Sequence, residues 1–147
     1  MKAVILAAGR GSRMGSLTDN IPKCLTKLAG RTLLSLQCAA LKDAGITDIA
    51  VVTGYQAGSF TNSGLKLFTN PHWAESNMVT SLACAAAWLN DDTCIVSYGD
   101  IFYSPRIVKH LISCEDDIAI AYDTGWQKLW ERRFQDPLTD AETFELD

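Results

Sequence analysis

The stretch that most constrains the fold is LAAGRGSRMGSLTDNIPK, residues Leu6 to Lys23. It begins at the end of an apolar run, contains glycine at positions 9, 11 and 15, and ends in a Pro-Lys pair. Glycines let the backbone approach a ligand closely and turn amide N–H groups toward an anion. Arg13 and Lys23 add full positive charges. The stretch therefore predicts a phosphate-binding loop, whereas its alternative is an ordinary glycine turn with basic residues on the surface.

Two common phosphate loops do not fit this stretch. The Walker loop requires G-x-x-x-x-G-K-[ST], but here Lys23 follows proline and precedes cysteine. The dinucleotide fingerprint G-x-G-x-x-G has Met14 at its third glycine position, and no acid closes the next apolar run at Thr53. The remaining type is a long loop that wraps a nucleoside triphosphate. In it, Arg13 and Lys23 would stabilise the negative charge of a phosphoryl transition state.

Outward from this loop, short apolar runs alternate with helical patterns. The predicted strands are residues 2–7, 48–53, 65–69, 93–97 and 117–122, and the predicted helices are residues 32–44, 77–89 and 105–113. Ser76 or Asn77 is the expected N-cap of the second helix. This alternation predicts a Rossmann-like α/β fold, with a mostly parallel sheet and helices on both of its faces.

Length and composition narrow the function classes. The chain has 147 residues and a formal net charge of −4, which indicates a single domain and argues against a nucleic-acid binder. Its five cysteines are scattered without a CxxC pair, so we expect reduced thiols rather than disulfides or zinc. No apolar run reaches the roughly 20 residues of a membrane span. We expect a cytoplasmic protein without a membrane segment.

A family resemblance follows from the glycine loop. The string Leu6-Ala7-Ala8-Gly9-x-Gly11-x-Arg13-Met14, followed by Pro22-Lys23, resembles the N-terminal motif of the nucleotidyltransferases that make nucleoside-diphosphate sugars and alcohols. The resemblance implies the nucleotide-diphospho-sugar transferase type of fold and an NTP on the loop. The implied nucleotide-binding residues here are Leu6, Ala7, Ala8, Gly9, Arg10, Gly11, Ser12, Arg13 and Lys23.

The same resemblance gives Asp100 a role. Gly99-Asp100 closes the predicted strand at 93–97, and open α/β sheets bind ligands at the carboxyl ends of their strands. In the family this aspartate is a Mg²⁺ ligand, and Mg²⁺ needs only one or two carboxylates besides phosphate oxygens. Without the resemblance, a Gly-Asp after a strand is more often a plain turn. The catalytic set implied is therefore Arg13, Lys23 and Asp100, with Mg²⁺ as cofactor.

A second motif indicates a branch of the family. The pattern Asn70-Pro71-x-Trp73-x-x-Ser76-Asn77-x-x-x-Ser81-Leu82 resembles the phosphocholine and 2-aminoethylphosphonate cytidylyltransferases. In related cytidylyltransferases a serine matching Ser81 helps to hold the pyrimidine, so Asn77 and Ser81 are added to the expected nucleotide-binding residues. For Asn77, simple helix capping is an equal interpretation. The implied reaction joins CTP to a phospho- or phosphono-alcohol amine and releases pyrophosphate. The alternatives are a sugar-1-phosphate nucleotidyltransferase and a non-catalytic nucleotide-binding remnant.

Aromatic and acidic residues near the end of the chain suit the cationic head group of an acceptor. Trp126, Trp130, Asp140 and Glu142 are the candidate acceptor-binding residues, since ammonium groups bind aromatic faces and carboxylates. The resemblance favours Trp130 over Trp126. Core tryptophans and surface acids are the competing interpretation.

The resemblance covers the whole chain but only the N-terminal part of the family's domain. We expect residues 1–147 to be one nucleotidyltransferase domain, truncated at its C-terminus. Family members carry a second metal carboxylate on a later strand, so either truncation has removed it or Asp140 or Glu142 replaces it. A sheet edge left open in this way would favour a homodimer.

Overall fold

The computed structural model describes residues 1–90 and 92–139. The chain divides into two compact units, one spanning Met1–His110 and a second that begins at Leu111. The first unit holds the sheet and the glycine loop.

A four-stranded parallel sheet forms the centre of the first unit. In chain order the strands are β1 (Lys2–Ala7), β2 (Lys27–Leu28), β3 (Arg31–Thr32), β4 (Ile49–Thr53), β5 (Lys66–Thr69) and β6 (Cys94–Tyr98). The sheet has the order β5-β4-β1-β6, while β2 and β3 form a separate antiparallel pair. Ile5 of β1 lies beside Val51 of β4 and Ser97 of β6. The glycine loop therefore leaves the sheet from a central strand.

The helices are four to eleven residues long. They are α1 (Leu33–Asp43), α2 (Met78–Ala83), α3 (Ala86–Leu89), α4 (Pro105–Ile112) and α5 (Trp126–Trp130), with 3₁₀ turns at Ser12–Thr18, Lys23–Leu25, Ala57–Phe60 and Pro137–Thr139. Thr32 caps α1 by accepting a hydrogen bond from the Ser35 amide at 3.0 Å. After α1, Gly45 adopts the left-handed φ of +98° that ends many helices.

The core lies on both faces of β1 and β4. Val4, Ala50 and Val52 face one side, where Ala85 and the partly buried Trp88 pack against them. Ile5 and Val51 point to the other side and are also fully buried. All-parallel sheets need such cover on both faces, and each buried valine or isoleucine stabilises the fold by about 1.5–3 kcal/mol.

Most predicted elements are confirmed. Four of the five predicted strands form β1, β4, β5 and β6 within one residue of the expected bounds, and the predicted helices at 32–44 and 105–113 are α1 and α4. Asn77 is the N-cap of α2, with its Oδ1 accepting from the Thr80 amide at 3.0 Å. The predicted parallel sheet is correct.

Two predictions are wrong. Residues 117–122 do not form a strand, and Ile118 and Ile120 are 84% and 80% exposed. The apolar run has no neighbouring strand among the described residues to supply its hydrogen bonds. The predicted helix at 77–89 is also interrupted, because Ala85 leaves helical geometry (φ −98°, ψ 14°) and becomes fully buried. This break separates α2 from α3.

Within residues 1–90 and 92–139, no helix combines the length and the apolar character that a bilayer span demands.

Candidate functional site

A cleft of about 220 Å³ opens at the carboxyl ends of β1 and β6. This is the edge at which open α/β sheets bind ligands. Its lining comprises Leu6, Ala7, Ala8, Gly9, Gly11, Arg13, Lys23, Cys24, Met78, Ser81, Tyr98, Gly99 and Asp100. The structure thus brings together the glycine loop, the Pro-Lys pair, the first turn of α2 and the Gly-Asp turn after β6.

Gly11 allows the side chain of Lys23 to lie across the loop. Its φ is +71°, and a Cβ there would come within 3.0 Å of the Lys23 Cβ and 3.1 Å of its Cδ. A Cβ on Gly9, by contrast, would meet nothing within 4 Å. The chain's own packing therefore does not require glycine at position 9, whereas a ligand lying close to the backbone in this cleft would.

Lys23 and Asp100 form an ion pair inside the cleft. The Lys23 Nζ lies 2.7 Å from the Asp100 Oδ2, and both side chains are partly exposed. A pair of this exposure stabilises the fold by only about 0–1 kcal/mol. The two groups are available for ligands at little cost, Lys23 for a phosphate and Asp100 for a cation.

Close packing of Gly99 against β1 positions Asp100 in the cleft. The Gly99 amide donates to the Leu6 carbonyl at 2.8 Å. A Cβ on Gly99 would lie 2.7 Å from that oxygen and 3.1 Å from the Ala7 Cβ. Only glycine permits this approach, which brings the Asp100 carboxylate to the loop after β1.

The hydroxyl of Ser81 has a fixed hydrogen-bond polarity. Asn70 is buried, and its Oδ1 accepts from the His72 amide at 2.9 Å, which orients the side-chain amide. Its Nδ2 then donates to the Ser76 and Ser81 Oγ atoms at 2.9 and 3.0 Å. The single Ser81 hydroxyl proton points to the Asn77 carbonyl at 3.2 Å. Ser81 therefore offers the cleft a hydrogen-bond acceptor.

Cys24 lies in the cleft but is not a nucleophile. It is almost completely buried, and this burial raises the pKa of its thiol to about 12, with the negative charge of Asp100 adding to the effect. A thiol with this pKa stays protonated at neutral pH, and the thiolate is the nucleophilic form.

Three predicted nucleotide-binding residues are absent from the lining that the described residues form. Arg10 pairs with the Asp19 Oδ1 at 2.9 Å and lies over the Tyr55 ring at 5.9 Å. Ser12 begins the 3₁₀ turn that follows Gly11, and Asn77 caps α2. Arg10 thus stabilises the glycine loop, and Asn77 stabilises the start of α2.

Four lining residues, namely Cys24, Met78, Tyr98 and Gly99, were not among the predicted site residues. Cys24 and Gly99 are neighbours of predicted residues, whereas Met78 and Tyr98 come from separate elements. The Tyr98 hydroxyl contacts the Met78 sulfur. The available signal was their position, because Cys24, Met78 and Gly99 each adjoin a predicted site residue and Tyr98 lies two residues before Asp100.

The predicted acceptor residues belong to the second unit or to undescribed positions. Trp126 and Trp130 lie on α5 with their rings edge to face at 6.5 Å, and the Arg133 guanidinium lies 4.9 Å from the Trp130 ring. Asp140 and Glu142 lie outside the described residues.

Cation ligands are sparse in the part of the chain that the structure describes. It contains no group of three or more histidine, cysteine, aspartate or glutamate side chains that could hold a metal ion. Asp100 is the carboxylate that lines the cleft.

Several known proteins are similar to this chain in sequence. The model of the MobA-like NTP transferase domain matches residues 3–143. The chain is 38% identical to CTP:phosphoglutamine cytidylyltransferase of Campylobacter jejuni, covering 99% of this chain and 62% of that protein. It is 28% identical to CMP-5'-(3-aminopropyl)phosphonate synthase of Streptomyces rubellomurinus, covering 82% of this chain and 20% of that protein.

A solved structure supports the fold. CTP:phosphocholine cytidylyltransferase from Streptococcus pneumoniae superposes with a TM-score of 0.64 at 34% identity, covering 69% of this chain and 45% of that one. The predicted nucleotidyltransferase type of α/β fold is therefore confirmed. The chain spans less than two thirds of the length of each of these relatives.

Proposed function

The chain belongs to the MobA-like NTP transferase domain family, and from this membership we propose that it transfers a cytidylyl group from CTP to a small phosphorylated or phosphonate amine. The observation that carries the proposal is the Lys23–Asp100 pair, which lies in the cleft beside the glycine loop. The names of the relatives support the donor and the class of acceptor, since they specify CTP or CMP with phosphoglutamine, phosphocholine or aminopropylphosphonate.

The polarity of Ser81 supports CTP over UTP. Cytosine carries an amino group, a hydrogen-bond donor, where uracil carries a carbonyl oxygen. Ser81 offers an acceptor to the cleft because Asn70 donates to it and its own proton points to Asn77. With UTP, the uracil carbonyl would face this acceptor without a donor, and a desolvated polar group left unpaired disfavours the wrong ligand. We assign the base-reading contact to Ser81.

The glycine loop and two cations would hold the triphosphate. Gly9 leaves open space over the end of β1, and Arg13 and Lys23 line the same cleft. When the nucleotide binds, the Lys23 Nζ exchanges the Asp100 carboxylate for phosphate oxygens. An oxygen of the acceptor's phosphate then attacks the α-phosphorus in line. The bond from the α-phosphorus to the bridging oxygen breaks, and pyrophosphate leaves with that electron pair.

This reaction requires no nucleophile from the protein. Catalysis of phosphoryl transfer consists mainly of positioning and electrostatic stabilisation. Arg13 and Lys23 supply fixed positive charge where negative charge develops. The high pKa of Cys24, about 12, agrees with a thiol that takes no part in the chemistry.

The donor set at Asp100 fits Mg²⁺. A partly exposed carboxylate in the cleft is sufficient, because Mg²⁺ is usually bound by one or two carboxylates together with substrate phosphates. Mg²⁺ would neutralise charge on the triphosphate and its leaving group. Asp100 is the residue that we propose holds it.

For the acceptor, Trp126, Trp130, Asp140 and Glu142 remain our proposed contacts. The Trp130 ring has a cation beside it, since the Arg133 guanidinium lies 4.9 Å from its centre. Such a ring also suits an ammonium group. An acceptor amine at Trp130 would use the opposite ring face or displace Arg133.

The test is a matrix of substrates with pyrophosphate release as the readout. The full chain is incubated with Mg²⁺, each of the common NTPs, and phosphoglutamine, phosphocholine, 2-aminoethylphosphonate or glucose-1-phosphate. We expect pyrophosphate from CTP with an amine-bearing acceptor. Release that requires glucose-1-phosphate would replace the proposal with sugar-nucleotide synthesis. CTP binding without any pyrophosphate would favour a non-catalytic nucleotide-binding chain.

A matched pair of variants connects the activity to the cleft. Lys23→Ala removes a lining cation, whereas Lys27→Ala removes an exposed lysine on β2 outside the lining. Removing one stabilising group from a transition state costs about 10²- to 10³-fold in kcat. We expect a loss of this size for Lys23→Ala alone, and equal activities of the two variants would place the reaction elsewhere.

A further inference from the structure

A fully buried glutamine on α1 holds the turn that carries Asp100. The relative exposure of Gln37 is 0%. Its Nε2 donates to the Tyr98 carbonyl at 2.7 Å and also to the Ile101 carbonyl. These two carbonyls flank Gly99-Asp100 on either side. One amide group therefore closes the turn at the end of β6.

Core packing alone does not account for a glutamine at this position. Its helical neighbours on the buried side of α1 are apolar, namely Leu34 and Leu41, which precede and follow it by three and four residues. The Gln37 Oε1 has no hydrogen-bond partner among the described residues. A buried acceptor without a partner lowers stability, so an apolar residue would suit the core better. Compared with an apolar residue, Gln37 adds the hydrogen-bond donor of its side-chain amide.

The Ser97 Oγ also donates to the Tyr98 carbonyl, at 3.2 Å, but the chain immediately after Asp100 is exposed and irregular. Ile101 and Phe102 are 44% and 63% exposed, and residues 101–104 have no regular secondary structure. On the N-terminal side, the Gly99 amide is held by the Leu6 carbonyl at 2.8 Å. On the C-terminal side of Asp100, the bond to the Ile101 carbonyl is supplied by Gln37.

We infer that Gln37 is a positioning residue for Asp100. By fixing both carbonyls of the turn, it keeps the Asp100 carboxylate in the cleft, where it lies 2.7 Å from the Lys23 Nζ. The inference rests on the proposed function in one respect, because the purpose of this placement is a metal-bound nucleotide. Gln37 itself is outside the lining of the cleft and acts through the turn.

The first variant is Gln37→Met, which keeps the length of the side chain but donates no hydrogen bond. Its matched control is Leu41→Met, a substitution of similar size at another fully buried position of α1. The readout is the ratio of CTP affinities measured with Mg²⁺ and with a chelator. We expect Gln37→Met to lower this ratio about tenfold, the effect of one lost hydrogen bond of about 1.4 kcal/mol. Leu41→Met should leave it unchanged.

A second variant separates hydrogen bonding from packing. Glutamate has nearly the same shape as glutamine, and burial raises the pKa of a glutamic acid. Protonated, it can donate to one of the two carbonyls. The ratio of CTP affinities, taken relative to the wild-type chain at the same pH, should therefore be closer to wild type for Gln37→Glu at pH 5.5 than at pH 8. Gln37→Met should show no such recovery. A ratio that Gln37→Met leaves within twofold of wild type would overturn the inference.

A measurement on the free chain keeps the inference distinct from the proposed function. Hydrogen–deuterium exchange of the amides at residues 99–103 needs no nucleotide. We expect faster exchange there in Gln37→Met than in Leu41→Met, with the amides of β1 and β4 unchanged. If the wild-type chain does not bind CTP, the proposed function fails while this exchange still decides the role of Gln37. Unchanged exchange in the turn would refute that role.

Discussion

Ser81 and Ser76 share one partner but differ in their access to the cleft. Both hydroxyls accept from the Asn70 Nδ2, at 3.0 and 2.9 Å, and only Ser81 lines the cleft. Replacing either serine by alanine removes one hydrogen bond from the Asn70 Nδ2, and Ser81→Ala also removes the bond to the Asn77 carbonyl. The base contact is therefore judged by the difference between CTP and UTP in Ser81→Ala, with Ser76→Ala as control for the Asn70 bond.

We predict that Ser81→Ala weakens CTP binding about tenfold, the effect of losing one hydrogen bond of about 1.4 kcal/mol. UTP affinity should change little, because its carbonyl finds no donor at Ser81 in the wild-type chain. Calorimetric titration of both nucleotides provides the measurement, with Ser76→Ala as control. Equal losses for the two serine variants would show that the Asn70 network, rather than a base contact, is responsible.

The buried thiol of Cys24 gives a second prediction at this scale. With a pKa of about 12, its thiolate fraction at pH 8 is about one in 10⁴ and rises about tenfold per pH unit. Iodoacetamide should therefore modify the exposed Cys114 well before Cys24, as mass spectrometry of the folded chain would detect. Rapid labelling of Cys24 at pH 8 would contradict both its burial and its assignment as a bystander.

At the scale of elements, the contact between the turn after β6 and the end of β1 positions Asp100. A Cβ on Gly99 would lie 2.7 Å from a backbone oxygen that cannot move away cheaply. We predict that Gly99→Ala destabilises the chain by about 1–3 kcal/mol, as overpacking does. Urea unfolding measures this effect.

Gly58→Ala is the control for that substitution. A Cβ there would meet nothing within 4 Å, and its φ is not in the left-handed region. We expect stability within about 1 kcal/mol of wild type, or a small gain from the lower entropy of the unfolded chain. A Gly99→Ala variant as stable as Gly58→Ala would mean that the turn is free to shift.

The elements also show what the sequence can predict. A continuous apolar run such as β4 needs cover on both faces, so its burial can be predicted from the run alone. Residues 117–122 have a similar pattern, but a strand requires a neighbour, and the pattern contains no information about one. The interruption after α2 was equally hidden, because alanine-rich sequence suits a helix on either side of Ala85.

The residues of the candidate site also differ in how far the sequence predicts them. Gly11 and Lys23 were predictable from the glycine loop itself, whereas Asp100 was predicted through the family resemblance, because a Gly-Asp after a strand is more often a plain turn. Gln37 was not, since the sequence LLSLQCAAL does not reveal which loop a buried amide will contact. Its place between Leu34 and Leu41, at the spacing of a buried helix face, was the available signal.

At the scale of the whole molecule, the basic residues of the glycine loop are opposite in sign to the net charge of the chain. The chain carries a formal net charge of −4, yet the loop after β1 concentrates three basic residues within one stretch. The local positive charge would favour the proposed triphosphate, which the net negative charge of the chain would repel. The predicted homodimer and the predicted cytoplasmic location remain predictions.

The most direct test of the proposed function follows the phosphorus atoms of CTP. The full chain is given Mg²⁺, an amine-bearing phosphate acceptor, and CTP labelled with radioactive phosphorus at either the α or the γ position. Attack at the α-phosphorus predicts that the α label appears in the CDP conjugate and the γ label in pyrophosphate. Transfer of the γ label to the acceptor, or its release as inorganic phosphate, would contradict the account.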